Sequence, residues 1–205
     1  MAVIPAAVVL LGGALGAYVA AADEAPADAK RGARIAYTCY GCHGIPDYRN
    51  AYPNYHVPRL GGQHAGYLAA ALTEYRSGAR PHPTMRGQAA TLSDADVRDI
   101  AAYFATTKPV ASGGAPVGTA PAAAAVCTAC HGKDGVGLTS DYPTLAGQYV
   151  DYLEQALKAY RKGTRQNAIM AGFAAALKDE DIAALAHYFA AQQPSLWVPL
   201  PPKAP

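Results

Sequence analysis

The 205-residue chain has little excess charge of either sign: 17 Lys and Arg stand against 15 Asp and Glu, a net of +2. Such a balance carries no electrostatic footprint for nucleic acid, so no nucleic-acid partner is expected. Large apolar aromatics are scarce, with three Phe and one Trp. No stretch alternates apolar and polar residues convincingly, which argues against a sheet-based fold. Disorder of the whole chain is excluded by an apolar fraction of 51% and a charged fraction of 16%. The length suits one large domain or two of about 100 residues each. Units that small bury little surface alone, and a second core-filler would help each. Only four cysteines occur, and their placement is the most informative feature of the chain.

Charge is wholly missing from Met1 to Ala22, and Asp23-Glu24 ends that run. The stretch reads as a secretory signal or an N-terminal membrane anchor. Ala20-Ala21-Ala22 supplies small residues for cleavage, and Pro5, Gly12, Gly13 and Gly16 weaken an anchor. The absence of Lys or Arg ahead of the run weakens a standard signal. Both readings place the remainder outside the cytoplasm, in the periplasm or tethered to the outer face of the inner membrane.

The chain is a duplication. Cys39-Tyr40-Gly41-Cys42-His43 answers Cys127-Thr128-Ala129-Cys130-His131 at an offset of 88, from position 39 to position 127. Downstream the offset is 85 and stays there, through Pro58/Pro143, Leu60/Leu145, Gln63/Gln148, Tyr67/Tyr152, Tyr75/Tyr160, Gly78/Gly163, Arg80/Arg165 and Met85/Met170. The first copy therefore carries three extra residues within Ile45 to Val57. These matches predict two homologous domains, residues 25–108 and 122–194. The uncharged Ala/Gly/Pro-rich stretch 109–121 joins them as a flexible or partly extended linker. The proline-rich tail, 195–205, is expected to run over the surface without regular structure.

Helical spacing recurs in both copies. Leu68, Ala71, Leu72 and Tyr75 form one face and Gly78 suits the stop; Leu153, Ala156, Leu157 and Tyr160 repeat it before Gly163. A last helix shows the stripe Val97, Ile100, Ala101, Phe104, with Ser93 as N-cap, matched by Ile182, Leu185, Ala186 and Phe189. A short helix is also expected over Ala27 to Tyr37. The fold class is all-α, in two small tandem domains.

Cys-x-x-Cys-His attaches haem c: two thiols at that spacing bond to the haem vinyl groups, and the adjacent histidine reaches the iron. Zinc would need further ligands that neither copy holds in paired form, and a thioredoxin-like pair would need a βαβ setting. Two such motifs in equivalent places of a duplicated, exported chain predict two covalently bound haem c groups. Cys39, Cys42, Cys127 and Cys130 are the attachment residues, and His43 and His131 are iron ligands. The sixth ligand follows from counting. Beyond Met1 only Met85 and Met170 remain, one per copy at the same repeat position. A methionine more often fills a core, but most other positions in the stretches 81–90 and 166–175, read as loops, differ between copies. His82 is the rival in the first domain, yet its counterpart is Asn167. His56, His64 and His187 read as surface or packing residues. His/Met ligation favours ferrous iron, raises the potential and closes both axial positions.

These residues resemble the class I c-type cytochromes, and specifically the dihaem cytochrome c4 family, over nearly all of the chain after the leader. The likeness rests on the two CxxCH motifs, on Pro58-x-Leu60-x-Gly62-Gln63 and Pro143-x-Leu145-x-Gly147-Gln148, on the Tyr-x₂-Gly-x-Arg runs from Tyr75 and Tyr160, and on the two methionines. It implies that the Pro58 and Pro143 carbonyls orient His43 and His131, that Leu60 and Leu145 pack against haem, and that the haems lie close together at the domain interface with propionates facing. The implied function is a periplasmic carrier of single electrons, from a quinol-oxidising complex to a terminal oxidase. The alternative is the cytochrome subunit of a dehydrogenase or membrane respiratory complex. A dihaem peroxidase needs a vacant haem site, against which a matched methionine in each copy speaks.

Overall fold

The computed structural model describes residues 26–108, 111, 113–193 and 196–201, so the uncharged leader lies outside the described residues. Among these there are helices, two isolated β-bridges and no strand. The first domain opens with α1 (Ala29–Ile35), which runs through a 3-10 turn (Ala36–Cys39) into α2 (Tyr40–His43). The Asp28 carboxylate caps α1 by accepting from the backbone N–H groups of Lys30 and Arg31. Helices α3 (Ala65–Ser77), α4 (Pro83–Ala90) and α5 (Asp94–Thr106) complete the domain. Gly78 ends α3 at φ 86°, a left-handed stop that favours glycine. Ser93 and Asp96 open α5 as a reciprocal capping box.

The second domain holds α6 (Ala124–His131), α7 (Val150–Arg161), α8 (Ala168–Ala174) and α9 (Asp179–Ala190). Each domain has its own core. Ala36, Tyr40, Leu68, Ile100 and Phe104 pack together in the first, and Ala124, Leu153, Leu185, Ala186 and Phe189 in the second. Leu68, Ile100 and Phe104, with Leu153, Leu185, Ala186 and Phe189, come from the periodic stripes of the sequence, buried where one helix face meets its neighbours.

Three segments differ from the sequence reading. The stretches around Met85 and Met170 are short helices rather than loops: His82 Nδ1 accepts from Met85 N–H at 3.2 Å, and Asn167 Oδ1 accepts from Met170 N–H at 3.0 Å. His82 and Asn167 thus do the same job with different side chains, and that job is N-capping. Within the linker, residues 113–117 are tied to the second domain. Asp134 accepts from Gly113 and Gly114 N–H, and the buried Gln192 exchanges two hydrogen bonds with the Val117 backbone. The extended chain there covers α9, while in the first domain α1 covers α5. The tail is not free on the surface either. Leu196 is 2% exposed; its N–H donates to Ala146 O, and Trp197 forms a bridge with Gly61. Leu196 and Trp197 therefore strap one domain to the other.

The α1–α5 crossing depends on close backbone approach and on one ion cluster. A methyl added at Gly32 would sit 2.0 Å from the Asp99 carbonyl oxygen. Gly32→Ala is expected to destabilise the first domain by roughly 2 kcal/mol through overpacking, read by denaturant unfolding. Arg31 spans Asp99 and Asp96. The Arg31 hydrogen bond and the Asp28 N–H hold Asp99 below the ordinary 3.8, and Ser93 and Arg31 do the same for Asp96. A depressed carboxylate stabilises the fold above its unfolded value and loses that contribution as pH falls through the folded one. The melting temperature should therefore drop as pH falls below about 4, and Asp99→Asn should flatten part of that drop.

Candidate functional site

The first candidate set converges. Cys39, Cys42, His43, Pro58, Leu60 and Met85 line one cavity of about 390 Å³. Cys42 and His43 lie in α2 and Cys39 immediately before it. Helical spacing puts the two thiols, three residues apart, on one side of the turn, and no disulfide joins them. His43 is 9% exposed, and its Nδ1 lies 2.9 Å from the Pro58 carbonyl oxygen. A carbonyl only accepts, so Nδ1 carries the proton and the Nε2 lone pair is left free as a ligand. Burial brings the His43 imidazole down to about 4, against the opposing pull of the Pro58 carbonyl, so the ring is neutral at physiological pH.

The second set repeats this geometry outside that cavity. Cys127, Cys130 and His131 share α6, and His131 Nδ1 lies 2.9 Å from the Pro143 carbonyl oxygen. Burial lowers the His131 ring in the same direction. Met170 is half-buried on α8, as Met85 is on α4. Leu145 packs against the second core as Leu60 packs against the first.

The domains meet through the residues that follow the prolines. Gln63 Nε2 donates to Thr144 O at 2.9 Å and its Oε1 accepts from Thr144 N–H at 2.9 Å. Gln148 does the same to Arg59, donating to Arg59 O at 3.0 Å and accepting from Arg59 N–H at 2.9 Å. Gln63 corresponds to Gln148 and Arg59 to Thr144, so the contacts are reciprocal and the domains are related by a pseudo-two-fold. Pro143, Leu145 and Gln148 consequently reach the wall of the first domain's cavity. The three extra residues of the first copy also serve this interface. The loop that carries them brings Arg49 and His56 onto Asp151, at 3.0 and 2.8 Å, and stacks His56 on Tyr149 at 4.4 Å between centroids. His64 Nε2 lies 3.0 Å from Gly137 O. Of the surface and packing readings, His56 and His64 take the second, as interdomain contacts.

Haem c fits this arrangement on the chemistry of the donor set and on one further observation. Arg80 and Arg165 are 6% and 5% exposed, and among the described residues no carboxylate pairs with either. Arg165 Nε is buried without a partner. Buried cations call for anions, and haem brings two carboxylates.

The profile of the cytochrome c family matches the chain twice, over residues 29–108 and 118–192. Cytochrome c4 of Pseudomonas aeruginosa is 38% identical over 181 residues, covering 80% of this chain and 89% of that protein. The crystal structure of reduced cytochrome c4 from Pseudomonas stutzeri superposes with a TM-score of 0.64 at 33% identity, covering 82% of this chain and all of that one. This chain belongs to the dihaem cytochrome c4 family. A protein named thiosulfate dehydrogenase electron acceptor, from Stutzerimonas stutzeri, is 37% identical over 174 residues, 76% of this chain and 79% of its own. Like its c4 relatives, the chain is an electron-transfer cytochrome with two covalently bound haem c groups, attached at Cys39/Cys42 and Cys127/Cys130. Sequence reading missed the roles of Gln63 and Gln148, although their repeat at the common offset was in view.

Gln63→Ala would leave the buried Thr144 N–H and C=O without partners at the interface. A loss of roughly 2 kcal/mol is expected, with unfolding split into two transitions as the domains uncouple. A single unshifted transition in a calorimeter would contradict that role.

Proposed function

We propose that the protein is a periplasmic carrier that passes single electrons from a quinol-oxidising complex to a terminal oxidase. In this reading each haem iron is held by a histidine and a methionine, His43 with Met85 and His131 with Met170. The observation that carries the ligation is the matched pair of capped helices. His82 and Asn167 differ chemically, yet each fixes the backbone at the one methionine of its copy. For the first domain, Met85 also faces the same cavity as His43.

Haem iron supplies exchange of one electron between ferric and ferrous states. The chain's residues do the rest. Pro58 and Pro143 hold the imidazole rings in one orientation and tautomer, and this raises their basicity as ligands. With haem bound, the thioethers of Met85 and Met170 would favour the ferrous state and leave no open position for oxygen, peroxide or carbon monoxide. A closed, rigid site changes little between oxidation states, which a carrier needs and a haem enzyme does not.

The second reading is a cytochrome subunit or dedicated acceptor of a dehydrogenase. The likeness to a thiosulfate dehydrogenase electron acceptor favours it. Stable co-purification of a dehydrogenase would decide for it. Residues 1–22 serve export in both readings, either cleaved or kept as a tether, and N-terminal sequencing of the mature protein distinguishes these.

Met85→Ala and Met170→Ala are each expected to keep the covalent haem, lower that haem's potential and open it to carbon monoxide. An optical redox titration repeated under carbon monoxide reads all three. A variant with an unchanged spectrum and potential would remove that methionine from the ligand set.

A further inference from the structure

The interface holds a cluster that the ligation does not use. Arg80 Nη2 donates to the Tyr152 hydroxyl of the second domain, and Arg80 Nη1 lies 3.4 Å from the Tyr67 hydroxyl of its own. Arg165 Nη2 donates to the Tyr67 hydroxyl of the first domain at 3.0 Å. Each guanidinium also lies over a ring of its own domain, Arg80 at 4.5 Å from the Tyr75 centroid and Arg165 at 4.4 Å from that of Tyr160. Among the described residues every side-chain partner of the two guanidinium groups is a phenol or a ring face. Two full positive charges are thus buried together without a carboxylate, and one Nε has no partner.

Such a pair repels itself. Both guanidinium groups lie against the same Tyr67 hydroxyl, so the repulsion acts at short range in a buried site, and desolvation adds to it. Folded chains are only marginally stable, so such a pair calls for an anion that offsets both costs. Arg80 lines the cavity that also holds Cys39, Cys42, His43 and Met85. Arg165 occupies the same repeat position in the second domain. The anions that arrive with the covalent group are the haem propionates. Burial opposes ionisation of Tyr67, yet Arg80 and Arg165 together outweigh it and draw the phenol down to about 7.

We propose that Arg80 and Arg165 are positioning residues for the propionates of the first and second haem, and that a tyrosine of the opposite domain holds each one in place. This inference rests on the haem assignment above. Its consequence is crossed control: a side chain of one domain sets part of the potential of the other domain's haem. A guanidinium against a propionate disfavours the ferric cation beside it, so any loosening of Arg80 lowers the first haem's potential. The bond from Arg80 to Tyr152 crosses the interface, and the bond from Arg165 to Tyr67 is its equivalent; Tyr67 also lies 3.4 Å from Arg80, whereas Tyr152 is bonded to Arg80 alone among the described residues. Tyr152 is therefore the cleanest handle on the first haem from the second domain.

The test is Tyr152→Phe in the intact dihaem protein, which removes one hydroxyl and keeps the ring. Haem-resolved potentials are read by NMR-monitored redox titration, with the two haems told apart through the Met85→Ala and Met170→Ala spectra. The expected result is a shift of the first haem's ferric/ferrous equilibrium towards ferric by about threefold, from weakening one hydrogen bond to a charged group. The second haem should stay in place. Arg80→Gln should move the first haem further in the same direction, about tenfold or about 59 mV for one electron, and Arg80→Lys should recover part of it. Tyr67→Phe should lower the second haem, because Arg165 loses its only hydroxyl partner. If Tyr152→Phe leaves the first haem unmoved, or shifts the second haem instead, the crossed clamp is wrong. Haem content is measured on the same samples. Fewer than two covalent haems in the unmutated protein would overturn the haem assignment itself, whereas two normal haems with unmoved potentials overturn the clamp alone.

Discussion

Six residues, Pro58 to Gln63, tie the whole molecule together, because the two ends of that segment bind different things. Its first carbonyl fixes the His43 ring, and its last side chain locks onto the Thr144 backbone of the other domain. Between them Leu60 packs against the first core and Gly61 leaves room for Trp197, whose indole would lie 2.4 Å from any Cβ placed there. The equivalent segment from Pro143 to Gln148 answers with His131 and Arg59. Neither domain can rotate against the other without dragging the carbonyl that orients the histidine of its own CxxCH motif. A carrier with two redox centres benefits from that constraint, since electron exchange between centres demands a fixed separation and little rearrangement.

Reciprocity of this kind is what a duplication makes available. One favourable contact between a glutamine and the facing backbone occurs twice, so its free energy counts twice. The departures from symmetry lie where one copy does something the other cannot. The first domain's longer loop reaches Asp151. Arg59 stands where the second domain has Thr144, and lies 4.0 Å from the Tyr149 ring. Helix α5 is covered by α1, whereas α9 is covered by residues of the linker. Shared geometry holds the haems, and unshared side chains differentiate them.

What could be read from the sequence divides along the same line. Helix faces, the left-handed stop at Gly78 and the Ser93 cap follow from spacings of three and four residues, so they are visible locally. The haem motifs were visible because thiols and histidine sit within five residues, and the candidate methionines because counting left no others. The roles of Gln63 and Gln148 were not visible. Their partners lie 81 and 89 residues away, and a glutamine carries no mark of an interdomain contact. The capping by His82 was hidden for another reason: a histidine beside a candidate ligand invites a ligand reading, and its counterpart, Asn167, fits only the cap. The tail misled because proline excludes helix but says nothing about burial, and Leu196 is buried without one.

The arginine pair shows how a structural cost points to chemistry. Burying one guanidinium is costly, and burying two together without an acid is worse. Surface ion pairs such as Arg76–Asp94 and Arg161–Asp179 hold the outer helices at equivalent positions of the two copies, so acids were available to the fold. They were used outside and left out of the centre. An acidic side chain at the centre would neutralise Arg80 or Arg165 permanently and compete with any carboxylate that came with the cofactor. Tyrosines avoid that competition: each offers a hydroxyl to aim the guanidinium without bringing a permanent negative charge. The choice of phenol over carboxylate is therefore what keeps the centre of the interface ready for an anion, and it places both arginines where a change at one haem is felt across the domain boundary.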